Sequence, residues 1–260
     1  MQLSESERAR YSRHMLLPEI GAEGQRKLRA ARVLIVGLGG LGSPVAMYLA
    51  ASGVGELVLS DYDLVELSNL QRQIVHTSAD VDRNKVDSAA DTIRRLNPLV
   101  RVTPLAYALD EGDLREQVRG ANVVVDASDN FETRFALNAA CVEARVPLVS
   151  GAAVRMEGQV SVFDCRIEDS PCYRCLYSDD SNEDGEPCSR VGVLAPLLGI
   201  IGSVQANETL KLIAGFGETL TGRVVFVDAY SMEWRAMKLA RNPSCAVCGD
   251  AQLKAASAAS

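Results

Sequence analysis

The sequence predicts an α/β fold with a doubly wound, mostly parallel sheet extended by antiparallel strands. Short apolar runs alternate with helical patterns in the first half of the chain, which is typical of parallel strands joined by crossover helices. A glycine cluster, Gly37-Leu38-Gly39-Gly40-Leu41-Gly42, follows the apolar run Val33–Val36 and opens a helical stretch. A strand, glycines and a helix start in this order are typical of Rossmann-like nucleotide-binding folds.

The first half of the chain supplies the parallel strands. Residues Glu5–Ala31 have a helical pattern that breaks at Pro18. The apolar runs after it predict strands over Val33–Val36, Glu56–Ser60, Val100–Pro104, Asn122–Asp126 and Pro147–Ser150. The stretches between them predict helices over Ser43–Ala51, Lys85–Leu96, Glu111–Val118 and Glu132–Ala144, with a polar stretch over Asp61–Asn84.

The second half supplies the antiparallel strands. β-Branched residues in Gln159–Phe163 and Arg223–Val227 predict two strands, separated by one long helix over Pro196–Ala214. The segment Ser178–Ser189 is dense in Ser, Asp, Glu, Asn and Gly, which predicts a mobile loop. No repeat or linker divides the chain, so we expect one domain over residues 1–250, with N-terminal helices over 1–31 and a disordered tail over 251–260.

Charge and composition exclude several classes of protein. The 260 residues include 27 basic and 34 acidic ones, a net charge of −7, and no Lys/Arg-rich block, which disfavours a nucleic-acid partner. The N-terminus lacks the basic and apolar regions of a secretory signal, and the longest uncharged stretch, Val191–Asn207, falls short of a membrane span, so a cytoplasmic protein is expected. Seven cysteines, an odd number, indicate metal or thiol chemistry rather than a disulfide framework.

The nucleotide site is predicted from the glycines and from Asp61. Positions without a side chain let backbone N–H groups approach a phosphate, and a helix N-terminus favours an anion. The glycines concerned are Gly37, Gly39, Gly40 and Gly42. Asp61 ends the second strand, at about the spacing where nucleotide-binding folds hold the ribose hydroxyls; a solvated strand end is the alternative.

Further charges are expected at the same carboxyl edge of the sheet. Arg72 lies in a polar segment after Asp61, Lys85 starts the next helix, and Asp129 follows the strand that ends at Asp126. A lysine neutralises phosphate charge, whereas an aspartate holds a divalent ion that bridges phosphates. Singly each is as well explained as a solvated surface charge, but jointly they indicate phosphoryl or nucleotidyl transfer.

Two CxxC pairs, Cys172/Cys175 and Cys245/Cys248, predict a metal site. Four thiolates close the tetrahedral shell of Zn²⁺, so a structural zinc is predicted; redox dithiols or chance are the alternatives. Among the other cysteines, Cys141 lies in a helical pattern and is most simply a small buried residue. Cys188, near Arg190 in the predicted mobile loop, is either a nucleophile or incidental.

These motifs together resemble the ubiquitin-activating-like adenylyltransferases, the HesA/MoeB/ThiF family. The likeness covers about Arg10 to Gly249, and within the family it is greatest to the molybdopterin-synthase branch, then to the thiamine-pathway branch. It rests on several ordered motifs: Arg10-Tyr11-Ser12-Arg13, the glycine cluster, Asp61, Ser68-Asn69-Leu70-Gln71-Arg72-Gln73, Lys85, Asp129-Asn130, Ser150-Gly151-Ala152-Ala153, Met156-Glu157-Gly158-Gln159 and both CxxC pairs.

The resemblance implies adenylylation, with ATP, of the C-terminal glycine of a small ubiquitin-fold sulfur-carrier protein that ends in Gly-Gly. Asp61 would hold ribose, Asn69, Arg72 and Lys85 would contact phosphates, and Asp129 would bind Mg²⁺. Ser68, Leu70, Gln71 and Asn130 would complete the nucleotide site. Arg13 would enter the partner's active site in a homodimer.

The resemblance also bears on sulfur chemistry. Some relatives use a cysteine at the Cys188 position for a covalent link to the carrier. The chain ends soon after Cys248, without the sulfurtransferase domain of eukaryotic relatives, so the sulfur is expected from a separate donor protein.

Three other functions remain open at this point. An NAD-dependent oxidoreductase would share the glycines and Asp61 but would leave Arg72, Lys85, Asp129 and the cysteine pairs without a role. A tRNA-modifying dehydratase would need a basic surface, which a net charge of −7 disfavours. A zinc-stabilised module that binds nucleotide without turnover is the third.

Overall fold

The computed structural model describes residues 2–177 and 191–250. Within these ranges one sheet runs in the order β3-β2-β1-β4-β5-β6-β7-β8. Its strands are β1 (Arg32–Val36), β2 (Glu56–Ser60), β3 (Arg101–Leu105), β4 (Val123–Asp126), β5 (Leu148–Val154), β6 (Glu157–Phe163), β7 (Arg223–Asp228) and β8 (Glu233–Lys238).

Helices connect and cover these strands. The helices are α1 (Glu5–Arg10), α2 (Ser12–Met15), α3 (Gly21–Ala30), α4 (Gly42–Ala51), α5 (Lys85–Leu96), α6 (Glu111–Arg119), α7 (Phe131–Ala144), α8 (Tyr173–Leu176) and α9 (Ala195–Ala214). Two short 3-10 helices, Leu67–Asn69 and Ser78–Asp80, lie in the polar stretch between β2 and α5.

The order in which the chain adds strands reverses next to β1, and this determines where a ligand can bind. Strands β1 to β5 are parallel, whereas β5 to β8 pair in antiparallel fashion. The chain runs outward from β1 to β3 and then crosses to β4 on the other side of β1. Val36 is in register with both Ser60 and Asp126, so three strands end level with one another. Ligands of doubly wound sheets bind at such a switch point. The strand order and directions confirm the predicted fold class.

Each face of the sheet is covered by its own apolar layer. Along β1, Val33 and Ile35 pack with α3, α4, α5 and α9, whereas Leu34 packs with α6 and α7. All three side chains are fully buried. Consecutive apolar residues such as Val33-Leu34-Ile35-Val36 are what a central parallel strand with helices on both faces requires.

The observed elements depart from the sequence-based expectation mainly in the second half. β8 and the short α8 were not predicted, and β5 and β6 extend beyond the predicted runs. β8 is exposed along its whole length, so its sequence has no apolar periodicity to reveal a strand. The segment Ser178–Ser189 and the tail 251–260 lie outside the described residues.

The long uncharged stretch of the sequence forms the first part of α9. This helix also carries Glu208 and Lys211, and it packs on α4 and across β5 and β6. In the described part of the chain, no helix combines the length and apolarity needed to cross a bilayer.

Candidate active site and four-cysteine cluster

Gly37 joins the loop after β1 to the loop after β4. Its φ is +93°, and a Cβ there would lie 2.6 Å from the Ala127 carbonyl oxygen. The Gly37 N–H donates to the Ser60 carbonyl at 2.9 Å. Gly42 leaves even less room, because a Cβ would lie 1.9 Å from the Gly37 carbonyl oxygen. Close backbone contacts therefore join the ends of β1, β2 and β4, and they leave no room for a side chain at Gly37 or Gly42.

Gly39 and Gly40 differ in what surrounds them. A Cβ at Gly40 would lie 2.4 Å from Leu198 Cδ1, so this glycine packs closely against α9; its contact with a nucleotide stays a prediction. Among residues 2–177 and 191–250, a Cβ at Gly39 would meet only Gln73 Nε2, at 3.6 Å. In the same ranges, no side chain caps the N-terminus of α4. The loop thus has an open surface at Gly39, beside a helix N-terminus that favours an anion.

Gly37→Ala is expected to destabilise the fold by about 2–4 kcal/mol, because a positive φ and a backbone contact both oppose a Cβ. Gly39→Ala, the matched control, is expected to change the free energy of unfolding by less than about 0.5 kcal/mol. Urea denaturation of both variants measures the difference. Equal losses of stability would contradict this account of the loop.

Asp61 anchors the glycine loop. Its Oδ2 accepts the Leu38 N–H at 2.7 Å and its Oδ1 accepts the Asp63 N–H at 2.9 Å. Burial raises the pKa of the Asp61 carboxyl above its usual value. The hydrogen bond to Leu38 places the carboxylate at the switch point, next to the glycines, as the sequence predicted. Its contact with a ribose stays a prediction.

Lys85 points back from the start of α5 toward the same place. The residue is 6% exposed, and its Nζ lies 2.7 Å from Asp63 Oδ2 and 4.0 Å from Asp61 Oδ2. Asp63, whose side chain is 54% exposed, was not predicted as a site residue. Its place two positions after Asp61 was the only feature of the sequence that could have identified it. The structure thus brings a buried ammonium to the edge of the glycine loop.

The polar segment after β2 includes the 3-10 helix Leu67–Asn69. Asn69 is buried and its Oδ1 accepts the Glu66 N–H at 3.1 Å. Arg72 is half-buried and donates to the Ser68 carbonyl at 3.1 Å. Ser68 and Gln71 are exposed and Leu70 is half-buried. Gln73, which was not assigned a role, is buried, and its Nε2 is the atom that a Cβ at Gly39 would meet. Its Oε1 has no hydrogen-bond partner within the described residues.

His76 contacts the backbone of the glycine loop. The sequence analysis did not identify this residue. Its Nε2 lies 3.1 Å from the Leu38 carbonyl oxygen and its Nδ1 lies 2.8 Å from Ser88 Oγ. Burial lowers the pKa of His76. The imidazole is therefore neutral in the folded protein at neutral pH.

The free energy of unfolding is expected to fall as the pH drops below about 6.5. His76 then binds a proton in the unfolded chain, whereas its lowered pKa keeps it neutral in the folded protein. One such proton contributes a slope of at most about 1.4 kcal/mol per pH unit. Urea denaturation between about pH 7.5 and 5.5 measures this slope. His76→Gln is expected to flatten it, and an unchanged slope in that variant would assign the pH dependence to other groups.

Asp129 and Asn130 follow β4 and are both exposed. The Asn130 Oδ1 accepts the Thr133 N–H at 2.9 Å, so this side chain caps α7 in the structure. Asp129 lies two residues after Ala127, which contacts Gly37. The backbone thus brings Asp129 to the switch point, while its role as a Mg²⁺ ligand stays a prediction.

Arg13 is not brought to this site within the described part of the chain. Arg13 is exposed in α2, which packs on α1 and α3. Among residues 2–177 and 191–250, no hydrogen bond or ion pair joins Arg13 to the glycine loop. Cys188 lies outside the described residues, and its role stays a prediction. Cys141 is buried in α7, as predicted, and burial raises the pKa of its thiol.

The two CxxC pairs come together as one cluster, with all four Sγ atoms within 4.8 Å of one another. Cys172 Sγ lies 3.7 Å from Cys245 Sγ, and Cys175 Sγ lies 3.4 Å from Cys248 Sγ. A tetrahedral Zn²⁺ with Zn–S bonds of about 2.3 Å separates its sulfurs by about 3.8 Å, so the donor set and its spacing fit that ion.

Backbone and side-chain donors surround the sulfurs. The Asn242 N–H points at Cys175 Sγ from 3.4 Å, and Asn138 Nδ2 lies 3.6 Å from Cys172 Sγ. Such donors favour the thiolate form that binds a metal. The cluster therefore joins the segment after β6 to the segment after β8.

The chain is similar to known proteins over almost its whole length. Residues 11–247 match the ThiF family. The molybdopterin-synthase adenylyltransferases of Salmonella typhimurium and Escherichia coli are 49% and 48% identical over 248 residues, which is 95% of this chain and 99% of each relative. The SAMP-activating enzyme E1 of Haloferax volcanii is 47% identical over 96% of this chain and 92% of its own length.

A solved structure shares the architecture. The crystal structure of Escherichia coli MccB with ATP superposes with a TM-score of 0.80 at 28% identity, over 92% of this chain and 73% of MccB. The fold, the switch-point site and these relatives agree with one another. The chain belongs to the ThiF family.

Proposed function

We propose that this chain is an adenylyltransferase that activates the C-terminal glycine of a small ubiquitin-fold sulfur carrier of the molybdopterin-synthase type. A carboxylate oxygen of the carrier attacks the α-phosphorus of ATP, the bond to the β-phosphate breaks, and pyrophosphate leaves. The product is a carrier acyl-adenylate. Sulfur from a separate donor protein later attacks its acyl carbon, and AMP leaves.

One observation carries this proposal. A buried ammonium, Lys85, lies beside Asp61 at the edge of a glycine loop that is open at Gly39. Attack of a carboxylate on a phosphate is opposed by repulsion between anions, so fixed positive charge stabilises the transition state. The nicotinamide-enzyme alternative assigns no role to this buried lysine. The near-complete match to adenylyltransferases supports the same reading.

Each proposed ligand group has residues that fit it. Asp61 would hold the ribose, and Asn69, Arg72 and Lys85 would contact the phosphates of ATP. Asp129 would bind Mg²⁺, which when present neutralises the charge on the phosphates. The four cysteines would hold a structural Zn²⁺, since a closed thiolate shell leaves no position for a substrate.

The N-terminal helices carry the proposed homodimer contact. Arg13 is exposed, and its guanidinium would enter the active site of a second copy of the chain. A guanidinium presents planar donors that match phosphate oxygens, so it would bind and offset the negative charge of the phosphates there.

Carrier-dependent exchange of pyrophosphate into ATP tests the proposal. The protein, MgATP and labelled pyrophosphate are mixed with a carrier that ends in Gly-Gly, and label in ATP is expected only when the carrier is present. The same carrier without its last two glycines is the control. Exchange with a thiamine-pathway carrier alone would reassign the pathway, and tight binding of NAD without any exchange would contradict adenylylation.

A further inference from the structure

Helix α7 connects the candidate active site to the four-cysteine cluster. It begins directly after Asp129 and Asn130 and runs to Ala144. Two of its polar side chains, Arg134 and Asn138, are four residues apart and therefore lie on one face. Both are buried, at 8% and 1% exposed.

Arg134 holds the backbone just before Asp129. Its Nη2 donates to the Ser128 carbonyl at 2.7 Å and to the Gly151 carbonyl at 3.3 Å. Its Nε lies 4.0 Å from Asp126 Oδ2, and the nearby carboxylate raises the pKa of the buried guanidinium despite the opposing effect of burial. The loop after β4 is thus tied to β5 through one planar group.

Asp126 holds the same loop from the other side. Its carboxylate is fully buried, and Oδ1 accepts both the Ser128 N–H, at 3.0 Å, and the Ser128 hydroxyl, at 2.6 Å. Oδ2 accepts the Ser150 hydroxyl at 2.7 Å. Ser128 is therefore fixed through its N–H and hydroxyl by Asp126 and through its carbonyl by Arg134.

The other end of this network reaches the cysteine cluster. The Asn138 Nδ2 lies 3.6 Å from Cys172 Sγ, and the Asn138 Oδ1 accepts the Tyr173 N–H at 2.8 Å. The Tyr173 hydroxyl lies 3.4 Å from Arg134 Nη1. Tyr173 follows Cys172 directly and is 1% exposed. A continuous path of buried contacts thus runs from a cysteine of the cluster to Ser128.

We propose that Arg134 is a positioning residue that fixes the loop Ala127–Asn130, and with it the Asp129 carboxylate, relative to the four-cysteine cluster. The inference rests on the proposed function, in which Asp129 binds Mg²⁺. The exposed Asp129 carboxylate depends on its backbone for placement. A misplacement of about 1 Å in a reacting constellation can lower a rate by about 100-fold.

Arg134→Lys tests this role. A lysine keeps the positive charge near Asp126 but cannot reproduce the planar donors that reach Ser128 and Gly151. We expect the Mg²⁺ concentration that half-saturates ATP–pyrophosphate exchange to rise about tenfold, the scale on which loss of a ligand-orienting contact weakens metal affinity. Excess Mg²⁺ is expected to restore most of the rate. Arg115→Lys, at an exposed arginine of α6, is the matched control and is expected to leave the value unchanged.

Tyr173→Phe supplies a second, milder variant, because it removes only the hydroxyl that approaches Arg134. Hydrogen–deuterium exchange without ATP or Mg²⁺ is expected to be faster at the amides of residues 127–131 in both variants, and unchanged in β2. Unchanged exchange in this loop, faster exchange everywhere, or an unaltered Mg²⁺ requirement would each overturn the proposal. If the wild-type protein shows no carrier-dependent exchange, the proposed function fails, and the deuterium measurement still decides the positioning role.

Discussion

Lys85→Ala is expected to lower the rate of carrier-dependent ATP–pyrophosphate exchange about 100- to 1,000-fold, or about 3–4 kcal/mol of activation free energy. The ammonium is buried beside Asp61 and held by Asp63 at 2.7 Å, so its position is fixed before a nucleotide binds. A preorganised charge of this kind stabilises negative charge that builds in the transition state. Initial rates at saturating ATP and carrier measure the effect.

The control for this variant is Lys211→Ala. Lys211 lies in α9 and pairs with the buried Glu208, so its loss also deprives a buried carboxylate of its partner. It takes no part in the candidate active site, and its variant is expected to lose stability while keeping the exchange rate. Exchange at the wild-type rate in Lys85→Ala would exclude Lys85 from the chemistry. Equal losses of rate in both variants would assign the effect to stability alone.

Cys175→Ser is expected to abolish zinc binding and to lower the thermal midpoint by about 10 °C. Loss of a structural metal is among the few changes that cost more than about 4 kcal/mol, and about 1 kcal/mol shifts the midpoint of a domain of this size by about 2–4 °C. Without the metal, the segments after β6 and β8 lose the cluster that joins them. Metal content by mass spectrometry and thermal denaturation of the purified protein measure both effects.

Cys165→Ser is the matched control for the metal site. Cys165 is half-buried and packs against the cluster, but it is not among the four sulfurs that converge. We expect it to retain one zinc per chain. A Cys175→Ser protein with full zinc content, or a wild-type protein whose four cysteines bind none, would contradict the assignment.

The fold was predictable because its central strands are apolar on both faces. β2 and α5 have the predicted bounds, and the other parallel strands differ mainly at their ends. β8 could not be predicted, because a fully exposed strand carries no apolar periodicity. Its existence depends on pairing with β7, a contact between segments that local patterns do not encode.

The candidate site was predictable where a residue belongs to a motif. Asp61 and Lys85 were found in this way, and the structure brings them together at 4.0 Å. Asp63, His76 and the Asp126–Arg134 pair were not found. Their partners are distant in sequence or lie on another element, so nothing in the local pattern distinguishes them from ordinary polar residues.

Gly40 shows the opposite case. The sequence analysis assigned it to the nucleotide, which stays a prediction, whereas a Cβ there would lie 2.4 Å from Leu198 Cδ1 of α9, a packing role that the motif did not reveal. Only the tertiary structure separates it from Gly39, which has an open surface. A motif can therefore identify a loop without saying what surrounds each of its glycines.

Intact-mass analysis of the carrier after incubation with this protein and MgATP tests the central claim most directly. Adenylylation predicts a carrier heavier by one AMP group, formed only with ATP and only when the carrier ends in Gly-Gly. Its formation is expected to slow sharply in Lys85→Ala and to proceed normally in Lys211→Ala. A carrier of unchanged mass with every Gly-Gly protein offered, under conditions where ATP binds, would contradict the account.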